Sequence, residues 1–97
     1  MRMKGYNILE RRYKTRLGEI DLVARKKNTL VFVEVKARSG NVAEVLMKRQ
    51  QKRISRAALL YVAKHRGCDS LSLRFDVIKI LPWSMPTHIK DAWSYNG

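Results

Sequence analysis

Residues Gly18 to Arg38 read GEIDLVARKKNTLVFVEVKAR, and their patterning decides the fold. Leu30 to Lys36 (LVFVEVK) is dense in β-branched residues, which fit a half-buried pleated surface. Successive side chains of a strand point to opposite faces. Val31, Val33 and Val35 therefore share one face, and Phe32, Glu34 and Lys36 the other. Glu19 to Arg25 alternates as well, with Ile20 and Leu22 expected on one face and Glu19, Asp21 and Val23 on the other. The tip between them, Lys26-Lys27-Asn28, is polar, and Asn28 is expected to supply the positive φ of a tight turn. The stretch is a β-hairpin.

Working outward, Gly5 to Tyr13 (GYNILERRY) reads as a preceding strand, followed by a turn over Lys14 to Leu17. After the hairpin, Ser39-Gly40-Asn41 breaks the alternation, and Val42 to Arg66 takes a helical period with Gly67 as its C-terminal cap. At about 100° per residue, the inner stripe is Met47, Gln50, Gln51, Ile54, Ala57, Ala58, Tyr61, Val62 and His65. The outer face is Lys48, Arg49, Lys52, Arg53 and Arg56, while Leu59 and Leu60 fall off the stripe on opposite sides. Leu71 to Leu81 is a further strand, with Leu73, Phe75 and Val77 alternating against Arg74, Asp76 and Ile78, and Pro82 ends it. Thr87 to Trp93 (THIKDAW) is expected to form a short terminal helix capped by Thr87. Strands on both sides of a helix in a short chain predict an α/β fold, one mixed sheet with helix cover.

The chain has 97 residues, enough for one small domain over 1–97. Its 21 Lys and Arg against 8 Asp and Glu give a formal charge of +13, the balance of a domain that meets a polyanion, most often nucleic acid. No stretch approaches the roughly 20 apolar residues of a membrane span, and the opening MRMKGYNILERRY lacks the apolar run of a signal peptide, so a cytoplasmic location is expected and a membrane partner is not. The single Cys68 excludes an internal disulfide framework and reads as a small residue at a helix end.

Against this basic background, Asp21, Glu34 and Lys36 stand out on the hairpin. A hard divalent cation such as Mg²⁺ (or Mn²⁺) takes oxygen ligands and is satisfied by one or two carboxylates plus a substrate phosphate. Asp21, Glu34 and the carbonyl of Val35 are the candidate ligands. Such a cation screens phosphate charge and lowers the pKa of a bound water, while Lys36, two residues from Glu34 on the same face, is placed to stabilise charge building on phosphorus. On spacing alone, a solvated hairpin face with cross-strand ion pairs worth a few tenths of a kcal/mol, roughly, is the more ordinary arrangement. Glu34 sits mid-strand between Val33 and Val35, flanked by an apolar face in a chain poor in acids, which strengthens the metal-site reading. Glu19 shares the Asp21 face as an outer ligand or, more simply, a rim acid paired with Arg16. Gln50 and Gln51 are polar interruptions of the inner stripe: either one of them reaches the metal-bound water or a phosphate, or both form a polar fringe at the helix end. Asp76 beside Arg74 reads as a structural ion pair, and His65 and His88 as structural or solvated. Arg11, Arg12, Lys14, Arg16, Arg38, Lys48, Arg49, Lys52 and Arg53 are the candidate polyanion footprint.

Taken in order, GEIDLVA, VFVEVKAR, the Lys/Arg-rich helix ending RISRAALLYVA, RFDVI and HIKDAW resemble the YraN-like (UPF0102) family, from about Gly5 to Trp93. That family is regarded as part of the PD-(D/E)xK restriction-endonuclease-like superfamily. The resemblance implies a mixed central sheet flanked by helices, with metal at the sheet's edge. It puts Asp21, Glu34 and Lys36 on the superfamily's catalytic positions and Gln50 where many members carry an auxiliary polar residue. The implied function is metal-dependent hydrolysis of nucleic-acid phosphodiester bonds, DNA above RNA, with branched or single-stranded DNA among the expected substrates; the alternative is a nuclease-fold protein that binds without cutting. Two departures are expected to matter: the family's glutamate-bearing first helix is missing before Gly5, and the segment after Arg38 is short. The missing helix is expected to leave Leu59 and Leu60 bare, so that either a homodimer buries them or the protein is truncated and less active.

Overall fold

The computed structural model describes residues 5–37, 48–81 and 85–94. Five strands, β1 (Asn7–Thr15), β2 (Gly18–Lys26), β3 (Thr29–Lys36), β4 (Ser72–Lys79) and β5 (Thr87–Trp93), form one sheet in that order. One α-helix, α1 (Lys48–Lys64), and a 3-10 turn at Cys68–Ser70 connect β3 to β4. All neighbouring pairs are antiparallel except β3–β4, which the helical crossover makes parallel. The result is a mixed five-stranded α/β sheet; where several flanking helices were expected, the described residues contain the single α-helix α1.

The expected faces of β3 and β4 are observed, and the reason is their clean alternation. Leu30, Phe32, Phe75 and Val77 pack with Ile54, Ala57, Ala58 and Tyr61 of α1. Val31, Val33 and Ile78 pack with Ala24 on the opposite face, ringed by Tyr6, Ile8, Leu22, Val35 and Ile80. The small Ala57 and Ala58 let α1 approach the sheet closely, and Phe32 stacks on Phe75 with ring centroids 5.7 Å apart. The whole predicted outer face of α1, Lys48, Arg49, Lys52, Arg53 and Arg56, is exposed. Gly67 ends the helical segment with φ 86°, the left-handed geometry expected of its cap. The expected helix start near Val42 and the stripe position Met47 lie outside the described residues.

Three local expectations are corrected. Thr87–Trp93 is a strand, β5, not a terminal helix. Ile89 and Trp93 both pack toward α1, a spacing of four that one helical turn and a bulged strand share. Here the bulge is real: the register shifts between Phe75 and Val77, and Asp91 has φ 53°. In β2, Ile20 and Val23 face α1 while Leu22 faces away, so the alternation slips beside Asp21. Across the ladder, Arg11 and Tyr13 pair with Leu22 and Ile20, and Arg12 between them is left-handed at φ 51°. In the β2–β3 turn the positive φ falls on Lys27, at 55°, and not on Asn28.

β5 is held by a charge cluster on the face away from α1. Asp76 is 0% exposed. Its carboxylate accepts from Arg74 Nε at 2.9 Å and Nη2 at 2.8 Å, from His88 Nε2 at 2.6 Å and from the Asp91 N–H at 3.0 Å. Arg74 also donates to the Tyr6 hydroxyl at 2.6 Å. Burial by itself would raise the Asp76 pKa; the hydrogen bonds from Arg74, the Asp91 amide and His88 outweigh it and hold the group below the usual carboxylate range. On the other face, the Trp93 indole donates to Ser55 Oγ at 3.1 Å and ties β5 to α1. Asp76→Asn is expected to cost about 3 kcal/mol at pH 7, because it leaves the Arg74 guanidinium without its counter-charge. A lowered carboxylate pKa stabilises the fold above the group's unfolded value and ceases to do so as pH falls through the folded one. Urea unfolding should therefore show a wild-type advantage at pH 7 that shrinks below about pH 4.

Candidate functional site

The described pairing of β2 with β3 ends at Leu22↔Val33. Past that point the two strands fork, and Asp21 occupies the fork. Its Oδ2 accepts the Val35 N–H at 2.8 Å, taking the place that a strand carbonyl would fill in a continued ladder. The slip in β2 and the left-handed Arg12 beside it turn Asp21 into the plane of the sheet. In an extended strand the N–H and C=O of one residue point to the same side. The Val35 carbonyl therefore faces the β2 side as its N–H does, while the Lys36 carbonyl faces β4 and accepts the Ile80 N–H at 2.7 Å.

Glu34 lies on the α1 side of the sheet and is 8% exposed. Gln50 of α1 donates from Nε2 to Glu34 Oε2 at 3.0 Å, and Lys36 Nζ stands 4.0 Å from the same oxygen. The Asp21 carboxyl group is close enough to Glu34 to act on its ionisation. Burial is the main force pushing its pKa up to about 8; the hydrogen bond and negative charge of Asp21 add to it, and Lys36 and Gln50 oppose it. Near pH 7 the carboxyl group thus holds its proton. Asp21, Glu34, Lys36 and Gln50, drawn from two strands and a helix, share one cluster at the C-terminal end of β3.

The remaining sequence candidates are distributed more widely. Glu19 is exposed, pairs in register with Lys14, and makes no ion pair with Arg16 among the described residues. Arg16 sits in the β1–β2 turn, whose Gly18 lies against α1: a Cβ there would stand 3.5 Å from the Arg53 carbonyl oxygen. Lys48, Arg49, Lys52 and Arg53 are exposed on α1, and the turn that carries the exposed Arg16 runs beside Arg53. Arg11, in register with the outward Leu22, and Lys14, next to the inward Tyr13, belong to the opposite face. The footprint read as one patch is divided by the sheet. Arg38 lies outside the described residues. Leu59 is 39% exposed, as its position off the stripe implied, while Leu60 is partly buried. Sequence reasoning missed the Asp76–His88 contact, because no pattern in one strand announces a partner in another. No helix among the described residues is long and apolar enough to cross a membrane.

Comparison with known proteins adds kinship. The UPF0102 protein Atu0303 of Agrobacterium fabrum is 46% identical over 93 residues, covering 94% of this chain and 76% of its own length. A UPF0102 protein of Parvibaculum lavamentivorans is 47% identical over 95 residues, 96% of this chain and 71% of the relative. One from Bartonella tribocorum is 47% identical over 91 residues, 92% and 70% respectively. The family model described as "Uncharacterised protein family UPF0102" matches residues 1–80, a span that contains the β2–β3 fork, α1 and β4. The chain belongs to the UPF0102 family.

Proposed function

We propose that the fork is the active site of a metal-dependent nuclease, a restriction-endonuclease-like member of the PD-(D/E)xK superfamily that hydrolyses phosphodiester bonds of nucleic acid, DNA in the first place. The observation that carries this reading is the convergence of Asp21 and Glu34 beside Lys36. Asp21 adds to the burial that keeps Glu34 protonated near neutrality, and a divalent cation at the two carboxyl groups would favour their charged forms beyond what Lys36 achieves alone. The donor chemistry fits a hard divalent cation: carboxylate oxygens from Asp21 and Glu34 and the carbonyl of Val35, with room left for phosphate oxygens and water. Mg²⁺ or Mn²⁺ held there would supply Lewis acidity and charge neutralisation.

The chain's own groups divide the rest of the work. Asp21 is fixed by the Val35 N–H, so its free oxygen is aimed without loss of side-chain entropy on binding. Gln50 holds Glu34 from the α1 side and sets the carboxylate plane. Lys36 supplies a fixed ammonium to the negative charge that grows on the non-bridging oxygens at the transition state. The exposed cations of α1 and Arg16, whose turn runs beside Arg53, hold the flanking backbone phosphates.

The test is incubation with branched, single-stranded and duplex DNA and with RNA, in Mg²⁺, Mn²⁺ or EDTA, for wild type and Asp21→Asn. Cleavage that needs the metal and is lost in the variant by at least about a hundredfold is the expected result. Equal rates in the two proteins would refute the site. Metal-independent binding without cleavage on every substrate would favour the alternative, a nuclease-fold protein that binds nucleic acid and does not cut it.

A further inference from the structure

We propose that Arg12 is a positioning residue of this site, acting through the left-handed conformation of its backbone and not through its charge. This role presupposes the nuclease reading above and adds to it a residue outside the acid–acid–lysine set. Arg12 and Asp21 stand opposite each other in the β1–β2 ladder, between the pairs Arg11↔Leu22 and Tyr13↔Ile20. Leu22 faces away from α1, and Ile20, two residues off, faces toward it. A regular strand would put both on one face, so β2 rotates at Asp21. Paired residues of an antiparallel ladder share a face. Arg11, beside the outward Leu22, and Tyr13, packed toward α1 with Ile20, therefore show that β1 rotates at Arg12. The ladder keeps one register on both sides because the two strands turn over at the same level. Arg12 has φ 51°, while no described residue of β2 has a positive φ, so the left-handed step belongs to Arg12.

A left-handed backbone is disfavoured for any residue with a Cβ and persists where its surroundings impose it. Here the rotation carries Asp21 off the strand face into the plane, where Oδ2 takes the Val35 N–H at 2.8 Å. An extended Arg12 would restore regular alternation to β1. To stay paired, β2 would follow, and Asp21 would return to a strand face, away from Val35 and from the cation position beside Glu34. The guanidinium does not hold Asp21: Arg12 is exposed, and no ion pair joins the two among the described residues. What the site needs at this position is a residue that accepts positive φ. Glycine does so freely and asparagine tolerates it, whereas the β-branched valine resists it.

Arg12→Gly, Arg12→Asn and Arg12→Val all remove the charge and differ in their tolerance of positive φ, so comparing them isolates the backbone. The first measurement is Mn²⁺ binding without nucleic acid, read from the paramagnetic resonance of the free ion. Arg12→Gly and Arg12→Asn should bind within about threefold of wild type, and Arg12→Val about ten- to a hundredfold more weakly, the usual loss when the support of a metal ligand is removed. The second is urea unfolding in EDTA near pH 6, where Glu34 keeps its proton, for each protein with and without Asp21→Ala. Removing a hydrogen bond to an ionised carboxylate costs about ten- to a hundredfold in the folding constant. Asp21→Ala should show that loss in wild type, Arg12→Gly and Arg12→Asn, and little of it in Arg12→Val, where the bond is already broken; such non-additivity marks coupled neighbours. Arg12→Val that binds Mn²⁺ like wild type, or that loses as much as wild type to Asp21→Ala, would overturn the proposal. Should Arg12→Val not fold, the other two decide: Mn²⁺ affinity kept by both supports the backbone role, and affinity lost by either assigns the effect to the guanidinium and overturns it. If no protein binds Mn²⁺, wild type included, the metal-site reading fails and the metal-free losses to Asp21→Ala alone decide the role of Arg12.

Discussion

Lys36→Met is expected to lower the metal-dependent cleavage rate by about a hundred- to a thousandfold with little change in KM. Methionine keeps the length of the side chain and removes its charge, so the substitution subtracts mainly the ammonium from the transition state. Removing one preorganised donor from developing oxyanion charge costs about 10²–10³ in kcat elsewhere. A second effect travels with it. Lys36 is one of the two groups that pull the Glu34 pKa down, so without it Glu34 holds its proton to still higher pH. The rate profile of the variant should rise later on the alkaline side than that of the wild type. Single-turnover rates at pH 7 and pH 9 separate the two: a deficit that closes completely at pH 9 assigns Lys36 to tuning Glu34, and one that persists assigns it to the transition state. A Lys36→Met rate within threefold of wild type at both values would remove Lys36 from the site.

The other large effect is on stability. An acid raised from its ordinary 4.5 to about 8 keeps a proton in the folded state that the unfolded chain has already released. Between those values the unfolded state binds fewer protons, so stability falls as pH rises, and the fall is complete once the folded group has ionised. Over that window the Glu34 contribution is on the order of 3–5 kcal/mol. Glu34→Gln cannot ionise and still receives the hydrogen bond from Gln50 only if its amide presents oxygen, which a simple rotation allows. The variant should thus be nearly as stable as wild type at pH 4.5 and clearly more stable at pH 8.5 without metal. Urea unfolding at the two values measures the difference. Adding Mg²⁺ at pH 8.5 should recover stability in the wild type by mass action and do much less for the variant. Parallel wild-type and variant stabilities across the whole range would contradict the buried, proton-holding Glu34.

The sequence made the frame readable where a period ran uninterrupted. Leu30 to Lys36 alternates without a break, and both of its faces lie where the period put them. The same holds for the stripe of α1 from Ile54 to Tyr61. The left-handed residues Arg12 and Asp91 interrupt alternation without a sequence mark, since neither is a glycine. Asp21 therefore read as an ordinary member of a strand face, when its position in the plane depends on that interruption. Thr87–Trp93 was misread because Ile89 and Trp93 repeat at four, and a helix needs no partner to explain that spacing; β5 exists through its hydrogen bonds to Asp76 and Ser55. Of the site, the residue types and the Glu34–Lys36 face were legible. The division of the basic residues between two faces was not, because it follows from cross-strand register.

One bond at the fork gives the protein a native spectroscopic handle. The Val35 amide donates to a carboxylate instead of a peptide carbonyl, so its proton resonance carries the charge of Asp21. Neutralising that charge, by a proton, by a divalent ion or by Asp21→Asn, must move the resonance, whereas amides inside the regular ladder such as that of Val33 report only on the sheet. A titration followed at Val35 thus reads occupancy of the fork without a substrate, a label or a reaction.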